Sequence, residues 1–124
     1  MTDKLDDIFS LRESFMNELK SVKPEEYPSW PVDISKKESQ QHLRDMALRG
    51  VEEMFEALQH LKNWKPHRDS DLPDFNKDEF LEEVVDAFNY FISVLILTGI
   101  DSKDFYDSYL KKDMIIRNRL KNKY

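Results

Sequence analysis

The sequence predicts an all-α fold, a four-helix bundle completed by homo-oligomerisation. Three observations predict it. Four segments carry apolar residues at helical spacing, no alternating run longer than a few residues suggests a strand, and capping or breaking residues fall between the segments. A chain of 124 residues suits one domain, 1–124, and can bury a core without staples.

The first helix is expected from about Asp3 to Lys20, where Leu5, Ile8, Phe9, Leu11, Phe15, Met16 and Leu19 form an apolar stripe. A loop follows, punctuated by Pro24, Pro28 and Pro31 around Tyr27 and Trp30. Ser35-Lys36-Lys37-Glu38 reads as a capping box that opens the second helix, with Pro66 stopping it near Trp64. The connection from Lys65 to Phe75 is polar. Asn76, with Glu79 three residues on, is expected to cap the third helix, which reaches about Thr98 and places Gly99 at C′. Apolar residues nearly encircle this helix, which marks it as central or as a subunit interface. Asp101 caps a fourth helix from about Ser102 to Lys121.

Composition excludes several kinds of function. The chain has no Cys, which removes disulfides, zinc–thiolate sites and Cys nucleophiles. Its net charge of −6, from 25 acids and 19 bases, argues against a general nucleic-acid binder. With two Gly there is neither a P-loop nor a dinucleotide fingerprint. The first residues lack the pattern of a signal peptide, and the apolar stretch Phe88 to Ile100 is too short to span a bilayer. A cytoplasmic, soluble protein is the expectation.

Two carboxylate pairs carry the functional information. Glu53 and Glu56, preceded by Glu52, lie in the second helix; Glu83 and Asp86, preceded by Glu82, lie in the third. A spacing of i, i+3 puts both acids of a pair on one helix face. The second pair is set in an otherwise apolar helix, and no Lys, Arg or His lies between Phe80 and Gly99 to neutralise it. Converging carboxylates repel, and a hard divalent cation such as Mg²⁺, which prefers oxygen ligands, removes that repulsion. A magnesium site between two helices is therefore expected. Asn89, one turn beyond Asp86 on the same face, reads either as a satisfied core amide or as a contact to base or sugar.

Read together, the pairs give EExxE and, after 26 residues, ExxD. The segment Tyr109-Leu110-Lys111-Lys112, followed by Arg119 and Tyr124, comes next. From Gln40 to Tyr124 this pattern resembles the all-α nucleoside triphosphate pyrophosphohydrolases: the MazG-like proteins, the dimeric dUTPases and the dCTPases. Ile116, Leu120 and Lys123 stand where the tail motif of that group usually has Asn, Gln and Gly. The resemblance implies that Glu53, Glu56, Glu83 and Asp86 hold Mg²⁺, with Glu52 joining them or positioning water; Glu82 reads either as an exposed acid or as a further metal or water-positioning group. It implies that Glu53 accepts the proton of the attacking water and that Lys112 and Arg119 bind the triphosphate. It also implies hydrolysis to the monophosphate and pyrophosphate, with dUTP or dCTP favoured by the tail, in a homodimer or dimer of dimers.

Outside the acid motifs, Lys65 and Arg68 read either as solvated charges after a helix terminus or as a loop that closes over phosphates. Trp30 reads as a loop residue that packs the first helix or as a stacking platform for a base, and Tyr109 as a further base or sugar contact. His42 and His60 read as structural or exposed. Two other functions compete. A di-iron bundle uses Glu-x-x-His pairs, whereas Glu56 and His60 are spaced by four. A non-catalytic helical interaction protein would keep the acids exposed or internally paired, and metal would leave its stability unchanged.

Overall fold

Each expected helix forms, and the terminal residues show why each begins or ends where it does. The computed structural model describes residues 3–69 and 74–122, so Lys123 and Tyr124 of the tail pattern lie outside it. The helices are α1 (Lys4–Val22), α2 (Lys37–Leu58), α3 (Lys77–Leu97) and α4 (Ser102–Lys121). Among the described residues there is no strand, and no single helix is long and apolar enough to cross a membrane.

The caps follow the sequence with one exception. Asn76 Oδ1 accepts from the Glu79 N–H at 3.1 Å, as expected. Asp101 and Asp104 form a reciprocal capping box at the start of α4. Gly99 ends α3 with φ +79°; its N–H donates to Ile96 O and that of Ile100 to Leu95 O, which completes a Schellman motif. The capping box expected at Ser35 does not form. Asp33 captures Ser35 instead, accepting from its hydroxyl at 2.6 Å and its N–H at 3.1 Å, and α2 starts after Lys36 without a side-chain cap. That helix also stops at Leu58, short of the expected Trp64. The next three N–H groups, of Gln59, His60 and Leu61, bond three residues back rather than four. Leu61 and Trp64 are 42% and 68% exposed, so further helix there would have gained no burial to support it.

The chain divides into two compact units, Asp33–Val94 and Met1–Val32 with Leu95–Tyr124. The first contains α2 and most of α3. Gly50 faces Phe91, Glu56 meets Glu83, and the ring of His60 lies edge-on to Phe80 at 6.3 Å. As numbers rise along α2 they fall along α3, so the pair is antiparallel. Gly50 is buried and leaves room for the Phe91 ring, so a glycine fixes how near the helices come at that level.

In the second unit α1 and α4 start side by side. Ser102 Oγ donates to Asp6, and one turn along the Phe9 and Phe105 rings lie 6.2 Å apart. Both contacts advance in the same direction. The proline loop is fastened to this unit by Val32 N–H, which donates to Leu97 O at 2.8 Å, and by Arg12, which donates to the buried Tyr27 hydroxyl at 3.2 Å. The Trp30–Pro31 peptide is cis. Phe9, Met16, Tyr27, Ile96 and Leu97 are its buried apolar residues.

Candidate metal centre

The antiparallel register of α2 and α3 decides which acids meet. Glu56 falls opposite Glu83, and by the same count Glu53 falls opposite Asp86. One carboxylate oxygen from each of Glu53, Glu56 and Glu83 lies within 4.8 Å of the others. Asp86 is outside that tight group, but its charge acts on both Glu53 and Glu83. Glu53 and Glu83 are half-buried, whereas Glu56 and Asp86 are exposed. The acids of α3 therefore sit at an open edge between two helices, not in the enclosed setting that its apolar sequence suggests.

Electrostatics register the crowding. Partial burial, then the charges of Glu56 and Asp86, a hydrogen bond with Glu56 and the charge of Glu83 push the Glu53 carboxyl above its ordinary range. Glu83 is raised by burial first, then by Glu56 and Asp86 and by its own hydrogen bond with Glu56; His60 opposes these effects. Glu56 thus stands between two acidic neighbours, and a cation would relieve their mutual repulsion. The donors are all carboxylate oxygens, half-open to solvent, which suits a hard ion that keeps part of its water.

The other candidates are placed more loosely. Glu52 and Glu82 are exposed and are not among the three acids that converge. Asn89 is half-buried on α3, one turn past Asp86. Lys65 is half-buried with Nζ 5.8 Å from the centre of the Trp64 ring, and Arg68 is exposed beside it. Lys112 and Arg119 are exposed on α4, two turns apart, and Tyr109 is 64% exposed on the same helix. Trp30 is half-buried and engaged within its own unit: its indole N–H donates to Glu13 at 2.8 Å, and Tyr27 meets its ring edge-on.

His60, which reads from sequence as structural or exposed, is half-buried near the site. It lies close enough to Glu83 to lower the pKa of that carboxyl and packs on Phe80. Its spacing of four from Glu56, one helical turn, was the available signal. No protein-family model matches this chain, and no curated protein or solved structure matches it.

Proposed function

We propose that this chain is a Mg²⁺-dependent nucleoside triphosphate pyrophosphohydrolase, acting on a pyrimidine deoxynucleotide, dUTP or dCTP. The observation that carries the reading is the convergence of Glu53, Glu56 and Glu83 from two antiparallel helices, with oxygens within 4.8 Å. Glu53, Glu56, Glu83 and Asp86 would hold the ion. When bound, it would neutralise phosphate oxygens and lower the pKa of a water molecule. Glu53, half-buried among the converging acids, is the group proposed to accept that water's proton. Glu52 and Glu82 border these acids in sequence and would position solvent. Lys112 and Arg119 carry the positive charge that a triphosphate needs, with Lys65 and Arg68 as a second source. Asn89, Trp30 and Tyr109 are the proposed contacts to base or sugar.

A second copy of the chain is proposed as the partner. On α3, Leu81, Val85 and Phe88 are 49–54% exposed at helical spacing, and on α2 Val51, Phe55 and Leu58 are 41–59% exposed at the same spacing. Two uncovered apolar stripes on neighbouring helices favour a homodimer or a dimer of dimers. Sedimentation should return a mass of two or four chains.

The deciding experiment measures pyrophosphate release from the common ribo- and deoxynucleoside triphosphates and dUTP, with and without Mg²⁺. Release that needs Mg²⁺ and falls at least about a hundredfold in Glu53→Gln is expected. Absence of release from every substrate, with the protein folded, would overturn the enzymatic reading and leave the helical interaction protein.

A further inference from the structure

The α1/α4 unit carries a half-open cavity of about 330 Å³ at its surface. Phe9 and Ile96, each 7% exposed, and the Trp30 ring supply apolar walls. Asp6, Glu13 and Asp101 supply its charge, and no Lys, Arg or His is among the described residues that line it. One oxygen of each carboxylate is engaged: Asp6 accepts from Ser102 Oγ, Glu13 Oε2 from the Trp30 indole, and Asp101 Oδ1 from the Asp104 N–H. Each bond uses one oxygen of its carboxylate, and a carboxylate has a second oxygen that can accept.

An anion entering this space would meet three negative groups, and a neutral apolar molecule would leave them unused. A cation on an apolar stem satisfies both surfaces, because its alkyl part covers Phe9 and Ile96 while its N–H groups reach the carboxylates. The volume is at the small end for ligand sites, which limits the guest to one short chain. Trp30 already takes part in such chemistry: the Lys20 ammonium lies 5.3 Å from its ring centre and donates to Ser29 Oγ at 2.8 Å.

We infer that this cavity binds an alkyl guanidinium or alkyl ammonium group, held between the Trp30, Phe9 and Ile96 surfaces and the carboxylates of Asp6, Glu13 and Asp101. The site uses none of the acids of the candidate metal centre and shares only Trp30 with the groups proposed to contact the nucleotide, so a titration without nucleotide or Mg²⁺ tests it separately from the pyrophosphohydrolase reading.

The chain has two Trp, so Trp64→Phe leaves Trp30 as the only indole reporter in the full-length protein. Trp30 emission is followed during titration with n-butylguanidinium, n-butylammonium, n-butanol and a blocked Gly-Arg-Gly peptide. Saturable binding of the cations and not of butanol is expected. Glu13→Gln keeps an acceptor for the indole N–H and removes the charge, and should weaken binding about tenfold. Lys20→Met removes a like charge and should tighten it, while Glu18→Gln, outside the lining, should leave it unchanged. Stronger binding of the peptide assigns the site to an arginine side chain of a partner; stronger binding of free n-butylguanidinium assigns it to a small metabolite. Helical circular dichroism verifies that Glu13→Gln is folded, and Asp6→Asn provides a second charge removal. No saturable response, equal binding of butanol, or unchanged affinity in both charge-removal variants would overturn the inference.

Discussion

Gly50→Ala tests whether one close contact holds the acid cluster together. A Cβ at position 50 would lie 2.6 Å from Phe91 Cε1 and 3.0 Å from Cδ1 and Cζ. Carbon atoms in contact sit about 3.5–4.0 Å apart, so the overlap is about 1 Å. To relieve the overlap the Phe91 ring would have to turn, which disturbs its edge-on contact with Phe88, centroids 5.9 Å apart. Overpacking of this kind costs about 1–3 kcal/mol. Alanine regains about 1 kcal/mol of helix propensity relative to glycine. The net expectation is a loss of about 0–2 kcal/mol, read as a lowered urea midpoint at constant slope. The functional consequence is sharper. Glu53 lies one turn beyond Gly50, so helices pushed apart at that level carry Glu53 away from Glu83. Calorimetric titration with Mn²⁺ or Mg²⁺ should then show weaker binding, and Phe91→Leu in the same chain should restore part of both losses. A stabilised Gly50→Ala protein with unchanged metal affinity would refute the argument that this contact sets the site.

Three further outcomes follow from the same geometry. Because Glu53 and Glu83 are raised in the folded state, the native protein binds more protons than the unfolded chain above the ordinary glutamate range. Metal-free stability should therefore fall as pH rises from about 4.3 through the raised values, and Glu83→Gln should flatten that slope in urea titrations at stepped pH. Added Mg²⁺ should reverse the loss near neutral pH, by about 2.7 kcal/mol at a hundredfold excess over its Kd, with no such gain in Glu53→Gln; equal melting curves with and without metal would count against the site. Gly99→Ala should lower stability by about 1–2 kcal/mol in a urea titration, since φ +79° is left-handed and the new Cβ would meet Pro31 Cβ at 3.2 Å.

The all-α class and most helix boundaries were legible because the information is local. Asn76 and Asp101 cap by hydrogen bonds within three residues, and Gly99 closes a turn that depends on its own φ. The start and the end of α2 differ from expectation for separate reasons. Ser35 had two possible partners, the helix N–H groups ahead of it and Asp33 behind it, and the nearer carboxylate won. Pro66 is a strong stop signal, but a helix can end earlier where its next side chains find nothing to cover them, as at Leu61 and Trp64. Such an outcome depends on packing that no single segment encodes.

The acid cluster sits between these two extremes. Spacing of i, i+3 puts Glu53 with Glu56 and Glu83 with Asp86, and the absence of basic residues between Phe80 and Gly99 says that the second pair has no partner on its own helix. What spacing cannot give is the register between helices. Contacts at Gly50–Phe91 and His60–Phe80 bracket the pairing and bring Glu56 to Glu83. A shift of α3 by one residue would rotate its face by about 100° and carry Glu83 out of the group, so the small residue at position 50 and the aromatic contact at position 60 are as much part of the site as the acids. On this argument the metal affinity should be more sensitive to changes at Gly50 and Phe80, which bear no charge, than to a change at Glu52, which bears one and lies outside the converging three.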